Sequence, residues 1–445
     1  MSTTIKTNMD AMRTFNLMEA HQTQAYKRME KISSGMKLNS PADDASAYAI
    51  SERMRVRIRA LDQASSNTNH GSNMIKTADD AVSTILAAMR TLKEKAIDAA
   101  NDSNSDEERR IMQKEFNQLV DQIDEDALVT FNGMNLIDGT KNNAFHPART
   151  ILLNQSLDEA TAKTDVLTSL KNRAGESLGI QKTDYYEVAW VMKGEISTTG
   201  RVQVGDTTTL ADLFERSGVS ELQKTTNGKI AGITDKQGKD VYTLDKTEGL
   251  AISSLCSITG EDAVENQIAA FTVSITDQDG NVRKSVNAVL DQFNQFQRAE
   301  TKTGDQSLSF QVGADANFAS KFALSDLRAA SLGLKGVTDN KIVSISTKED
   351  ANATINVLDN AIKKVLDQQT TLGAALSRLE RTSTNLTTIH TNDQSSESVI
   401  RDADMAKEMT EYTKYNILSQ ASQAMFAQAN QRPGNVLSLL NSVTE

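Results

Sequence analysis

Proline, cysteine and aromatic residues are scarce in this chain: among 445 residues there are 3 prolines, 1 cysteine and 1 tryptophan. Ordinary usage puts proline near about 5%, so few positions obstruct long helices. A single cysteine, Cys256, excludes an intramolecular disulfide framework and a cysteine zinc cluster. It lies in a strand-like run and reads as a small buried apolar group rather than a nucleophile. Aromatics are 4% of the chain, too few for the aromatic-rich core of a sandwich or barrel to dominate. Positive charge is also short. Lys and Arg number 48 against 59 Asp and Glu, a net charge of -11, which argues against a general nucleic-acid binder. No stretch approaches the roughly 18 apolar residues of a membrane span, so no membrane partner is expected. The opening residues lack the apolar h-region of a cleavable secretory signal. Hydrophobic residues are 38% of the chain, lean for a compact globule and suited to elongated helices with wet polar faces. Length alone suggests about three domains.

What is present is helical periodicity at both ends. Ile5, Met9 and Met12, then Ala25, Met29, Ile32 and Met36, step by 4 and 3, the mark of one apolar stripe. Gly35 suits the stop of that helix. Ser40-Pro41 reads as the cap and first position of the next, with Asp43 and Asp44 at its positive end. That second helix carries Gly71, Ile75, Ala78, Val82, Ile85, Met89, Leu92 and Ala96 in strict 4,3 alternation. The register extends back through Ala64, Leu61, Met54 and Ile50, with Arg57 as the one charged miss. About fifty residues span roughly 75 Å, and a seven-residue repeat of that length implies a left-handed supercoil with partner helices. Ser105 and Glu108 form a capping box before Met112, Phe116, Leu119 and Ile123. Phe131-Asn132-Gly133 is a turn.

The C-terminal block repeats the pattern. Ser346 and Glu349 read as a second capping box. Ile355, Leu358, Ile362, Val365, Gln369, Leu372, Leu376, Leu379, Ser383 and Leu386 form a second heptad run. A polar break is expected over 391–398. A last helix should run from about Asp402 to Asn430, with Leu418, Met425 and Ala429 on one side. Pro433-Gly434 should interrupt it before the apolar end Val436, Leu437, Ser438, Leu439, Leu440. Between the blocks, alternation over 186–191, 202–204, 241–244 and 271–275 predicts strands, and Asp235–Gly238 and Asp277–Gly280 predict turns. Residues 209–216 and 286–296 look like short helices. The fold class read from this pattern is mainly α: a coiled-coil-like helical rod built from both chain ends, with a central α+β insertion.

Enzyme chemistry is hard to find, and the chain reads as a non-enzyme with no cofactor. His21, His70, His146 and His390 are far apart in sequence, and H-E-x-x-H, the phosphate-binding G-x-x-x-x-G-K-[ST] and G-x-S-x-G are all missing. Asp402 and Asp404, two apart, would point to different helix faces and suit a helix start. Arg53, Arg55, Arg57 and Arg59 lack interleaved aromatics and read as a solvated or inter-subunit face. Asp277-x-Asp279-Gly280 has a faint calcium-loop look, but the twelfth position is Ala288, which offers no side-chain ligand. A hairpin turn is the better reading.

The apolar stripes of 1–34 and 402–443 flank the heptads. Isolated amphipathic helices are marginal in water, so these ends must find a partner. A head-to-tail contact that does not close gives an open helical filament.

Several segments then become recognisable. Leu38-Asn39-Ser40-Pro41-Ala42-Asp43-Asp44-Ala45 resembles the L-N-S-A-x-D-D-A signature of bacterial flagellins. Leu61 to Gly71 resembles L-x-Q-A-x-x-N-A-x-D-G, and Ile400-Arg401-Asp402-Ala403-Asp404-Met405-Ala406 resembles I-x-D-A-D-x-A. The segments Ile417–Ala421 and Ala427–Gln431, then Pro433 and Val436–Leu440, follow in family order. Gln311–Ala314 and Ser331–Leu334 resemble the family's return hairpin. The resemblance implies a homopolymeric, secreted filament for motility, with a hook–filament junction protein as the alternative. Residues 1–40 and 402–445 would be the terminal helices of an inner tube, using Ile5, Met9, Met12, Met29, Ile32, Leu418, Met425, Val436, Leu437 and Leu440 for subunit assembly. Residues 41–140 and 306–401 would be the rod with its return hairpin. Its core would be Ile75, Val82, Ile85, Met89, Leu92, Ile355, Ile362, Leu372, Leu376 and Leu379. Residues 141–305 would be the outward-facing variable insertion. Implied partners are an export chaperone, type III export, a filament cap and hook-junction proteins. A Toll-like innate receptor patch would fall on Lys93, Glu94 and Glu115, weakened by Thr91 and Lys95 where the family has arginine and leucine.

Overall fold

The computed structural model describes residues 8–142, 149–215, 220–225, 229–234, 240–242, 248–255, 264–297, 299 and 305–442. Cys256, His146, Pro147 and the turn 235–238 lie outside them. The helices are α1 (Met9–Ser34), α2 (Ala45–Ala99), α3 (Asp106–Ala127), α4 (Leu210–Phe214), α5 (Lys284–Leu290), α6 (Lys348–Arg401) and α7 (Met405–Ser442). At 1.5 Å per residue, the 55 residues of α2 extend about 80 Å.

Helix ends follow local chemistry, with four corrections to the sequence reading. Helix α1 ends at Gly35, whose φ of 71° needs no Cβ, and Ser105 with Glu108 makes the expected capping box of α3. Helix α2, however, is capped by Asp44, whose Oδ1 accepts the Ala47 amide at 3.0 Å. Ser40 is instead drawn into a turn, because the Asp43 carboxylate gathers the amides of Asn39 and Ser40. Likewise Thr347, not Ser346, caps α6, with its Oγ1 accepting the Asp350 amide at 3.1 Å. The polar stretch 391–398 does not break the helix. Thr391, Ser395 and Ser396 return their hydroxyls to the carbonyls four residues earlier at 2.8–2.9 Å, which satisfies them without leaving the helix. Helix α7 also runs on through Pro433-Gly434. A proline removes one ladder bond, and the helix continues on both sides of it.

The chain folds as two compact units. The first takes Met1–Thr68, Gln311–Phe318 and Arg381–Glu445; the second takes Asn69–Phe310 and Ala319–Glu380. In the second unit, Gly71, Ile75, Ala78, Val82, Ile85, Met89, Leu92 and Ala96 are buried, as are Phe116 and Ile123. The buried seam of α6 is rotated from the sequence reading. Leu358, Val365, Leu372 and Leu379 are buried, but Ile355, Ile362 and Leu376 are only half-buried. The second row of the seam is Ala361, Lys364, Gln368 and Ala375. Lys364 is accommodated because its ammonium donates to the carbonyl and hydroxyl of Ser331, and Gln368 accepts the Ser325 amide at 3.2 Å. A hydropathy pattern does not reveal such buried polar positions.

The insertion is antiparallel. A hairpin, β1 (Thr130–Phe131) and β2 (Met134–Asn135), turns through Asn132 and Gly133, both with positive φ. The remaining strands are β3 (Arg149–Asn154), β4 (Tyr185–Met192), β5 (Glu195–Thr198), β6 (Val202–Gln203), β7 (Glu221–Lys224), β8 (Lys229–Thr234), β9 (Asp240–Tyr242), β10 (Leu250–Leu255), β11 (Ile268–Thr276), β12 (Asn294–Gln297), β13 (Leu308–Gln311) and β14 (Ala319–Phe322). One sheet has the order β12-β3-β10-β7. In the other, of order β11-β4-β5, β4 also pairs with β6. Residues 294–297, expected to be helical, are the edge strand β12. Leu152, Leu222 and Ile252 from the first sheet and Val188, Phe271 and Val273 from the second share one core with α4 and α5. Phe214 of α4 sits edge-on to Phe271 at 5.9 Å.

Candidate functional site

In the first unit, α1 and α7 lie side by side. Their matched residues run in opposite directions. Asn8 donates to the Ala429 carbonyl at 2.9 Å, Phe15 meets Phe426 at 5.7 Å, His21 meets Tyr415 at 6.2 Å, and Arg28 pairs with Glu408 at 2.9 Å. The pair is therefore antiparallel. Its inner stripe on α1 is Asn8, Ala11, Thr14, Met18, His21 and Arg28, a helical face that is mostly polar or small. Facing it on α7 are Glu408, Tyr415, Leu418, Ser422, Phe426 and Ala429.

Many of the large apolar side chains lie outside this seam. Met9, Met12, Leu17, Tyr26 and Met29 of α1 are exposed, as are Met405, Met409, Ile417 and Met425 of α7. The stripe read from the sequence through Met9, Met12 and Met29 is thus not the seam of the pair, which lies one residue away at Asn8, Ala11 and Arg28. Ile32 and Leu418 are half-buried. Ile5 and the side chains of Val436, Leu437 and Leu440 lie outside the described residues. A seam of mixed polar, small and aromatic side chains with this many large apolar ones left exposed is not what a stable isolated pair would choose, and it leaves a surface fit for burial elsewhere.

A clasp beneath the pair ties the two terminal segments together. The Lys37 amide donates to the Arg401 carbonyl at 2.7 Å, and the Ala403 amide to the Gly35 carbonyl at 3.0 Å. The buried Arg401 guanidinium reaches Glu52 Oε1 at 2.6 Å and Ser51 Oγ at 3.4 Å, and lies over the Tyr48 ring at 5.5 Å. Asp404 then caps α7, its Oδ1 accepting the amides of Ala406 and Lys407. The sequence marked Asp402 and Asp404 as a helix start, but it did not single out Arg401. The only signal is that a charged residue occupies the variable position of the I-x-D-A-D-x-A segment.

The clasp has a pH signature. The Arg401 hydrogen bond holds the Glu52 carboxylate below the ordinary carboxylate range. Unfolded, Glu52 returns to the ordinary carboxylate value. The pair therefore contributes fully above that value and is lost as pH falls through the lower folded value. Thermal melts at decreasing pH, followed by circular dichroism, are expected to fall more steeply for the wild type than for Glu52→Gln. Equal slopes would show that the pair adds nothing.

The other singled-out residues lie elsewhere. Of the basic run, Arg55 pairs with Glu52 and Arg57 with Asp393. Lys93 donates to the Asp359 carboxylate, Glu94 is exposed, and Lys95 pairs with the exposed Glu115 at 2.7 Å. Asp277 Oδ1 accepts the amides of Asp279 and Asn281, as a turn requires. Among the described residues, no three His, Cys, Asp or Glu side chains gather to hold a metal ion, and no helix is long and apolar enough to cross a membrane.

Comparison with known proteins places these features. The model of the bacterial flagellin N-terminal helical region matches residues 5–142, and that of the C-terminal helical region matches residues 355–440. The chain is 34% identical to a flagellin of Clostridium tyrobutyricum over 435 residues, covering 96% of this chain and 99% of that one. It is 29% identical to a flagellin of Bacillus subtilis over 440 residues, covering 98% and 99%. The solved structure of FliC from Burkholderia pseudomallei aligns at 17% identity over 69% of this chain and 99% of that chain, with a TM-score of 0.26. With matching helical regions at both ends and full-length relatives of this kind, the chain belongs to the bacterial flagellin family.

Proposed function

We propose that the chain is the structural subunit of a bacterial flagellar filament, assembling by mutual burial of its terminal helices. The observation that carries this reading is the α1–α7 pair, which leaves six methionines, Leu17, Tyr26 and Ile417 exposed outside its seam. A second copy is the partner such a face calls for, because identical subunits supply identical stripes and a non-closing contact propagates. Residues 1–40 and 402–445 form the inner layer in this proposal, 41–140 and 306–401 the surrounding rod, and 141–305 the outward part. Export, the cap, hook-junction proteins and a chaperone on the last helix complete it. Electron microscopy of purified protein after seeding is the test. Long filaments from the full chain, and none after removal of 1–34 or 403–445, are the expected result. Growth that stops after one ring would favour a hook–filament junction protein, and filaments from the truncated chain would move assembly away from the ends.

A weakened contact with a Toll-like innate receptor is part of the same proposal. Lys95 and Glu115 satisfy each other across 2.7 Å, so a receptor must break that pair and strip water from a lysine at an apolar contact. Lys95→Leu is expected to raise potency in a reporter-cell assay about tenfold or more; an unchanged dose response would remove Lys95 as the cause.

A further inference from the structure

Methionine supplies six of the ten large apolar side chains exposed on α1 and α7. Among the described residues seven methionines are exposed, and six of them, Met9, Met12, Met29, Met405, Met409 and Met425, lie on α1 and α7. These six are between 44% and 60% exposed. Met74 and Met89, in the buried face of α2, are 4% and 0% exposed. Elsewhere the buried apolar face of α2 is mainly leucine, isoleucine, valine and alanine. The fold therefore gathers most of its exposed thioethers on the terminal pair and shelters Met74 and Met89. Thioether oxidation follows access, and it converts a flexible apolar side chain into a polar one.

We infer that these six methionines are an oxidative modification site that controls assembly competence: hydrogen peroxide converts them to sulfoxides in the free subunit, and the assembled fibre shields them. The inference rests on the assembly reading above. In the reaction the methionine sulfur attacks one peroxide oxygen. A sulfur–oxygen bond forms, the O–O bond breaks, and the second oxygen leaves as water after proton transfer. Sulfur is oxidised by two electrons and the peroxide is reduced by two. Each sulfoxide oxygen is a strong acceptor that water satisfies on the free subunit. Inside an apolar contact between copies it would be left without a donor, so the modified subunit stays soluble and does not add to a filament end. The change is reversible, because sulfoxide reductases return the thioether. Oxidation would then act on subunits before they assemble and spare those already in a filament.

The test uses full-length protein. Free subunits and preformed filaments are treated with hydrogen peroxide, oxygen uptake at each methionine is read by peptide mass spectrometry, and seeded growth is followed by sedimentation. The expected result is oxidation of the six in free subunits with Met74 and Met89 spared, at least tenfold slower uptake at the six in filaments, and at least tenfold slower growth from oxidised subunits. Methionine sulfoxide reductase should restore that growth. A variant with leucine at all six positions should grow equally well before and after peroxide; if that variant does not grow at all, reductase rescue of the wild type decides the matter. Undiminished growth of oxidised wild type, or equal loss in the leucine variant, would overturn the inference. Failure of untreated wild type to grow would instead sink the assembly reading itself.

Discussion

A subunit carrying both Met12→Glu and Met409→Glu is expected to remain folded as a monomer and to lose seeded polymerisation, with the critical concentration rising about 100-fold or more. In the monomer both side chains are exposed, at 58% and 49%. Surface substitutions away from special features stay within about 0.5 kcal/mol, and glutamate is as good a helix former as methionine. In the proposed polymer the two positions would sit on apolar faces that a second copy covers. An ionised carboxylate buried without a partner costs several kcal/mol. Even if both side chains lean toward water at the contact edge, a loss of about 2.7 kcal/mol remains, equivalent to the 100-fold change. Circular dichroism of the monomer and sedimentation after seeding check the two halves separately. Polymerisation at the wild-type critical concentration would place these residues on the outside of the filament.

The second large effect is expected at Gly194, in the β4–β5 turn. Its φ is +70°, and a Cβ there would lie 2.0 Å from the Lys341 carbonyl oxygen. That carbonyl is held in place because it also accepts the Gly336 amide at 2.8 Å. Gly194→Ala must therefore push the turn off the 336–341 segment. Left-handed conformation costs about 1–2 kcal/mol in a residue with a Cβ, and overpacking adds about 1–3 kcal/mol. A total near 3–4 kcal/mol would lower the melting temperature of the second unit by roughly 10 °C. Gly200→Ala is the control. Its φ is +68°, but nothing lies within 4 Å of the added carbon, so only the conformational part should appear. Equal melting shifts for the two variants would mean that the close approach to Lys341 is immaterial.

Legibility of the fold varied with what each segment had to bury. The heptads of α2 were plain because Ile75 to Ala96 are buried and apolar throughout. The α6 seam lies one position from the expected one in each heptad because Lys364 and Gln368 are buried, the Lys364 ammonium held by Ser331 and the Gln368 side-chain oxygen by the Ser325 amide, and hydropathy counts them as surface. Residues 391–398 looked like a break because serine and threonine compete with the helix, yet here their hydroxyls bond back to it. Strand β3, the run Arg149-Thr150-Ile151-Leu152-Leu153-Asn154, was not picked out. Five of its six positions are buried, so it lacks the two-residue alternation that marks a half-exposed strand. In α1, Met9, Met12 and Met29 were correctly seen to share a stripe, but periodicity does not say whether a stripe meets the same molecule or another.

In the proposed assembly, the exposed apolar side chains of the α1–α7 pair also make this unit's stability a matter of dilution. Its own seam rests on Ala11, Ala429, a phenylalanine pair and a few hydrogen bonds, with the larger apolar side chains left over. Anything that binds only the folded form raises its melting temperature by mass action, and here the binder is another copy. The melting temperature of the terminal helices should therefore climb with protein concentration while that of the second unit does not. A cell can then hold the subunit with loose ends at low free concentration, and the ends acquire their final rigidity only where subunits are crowded together.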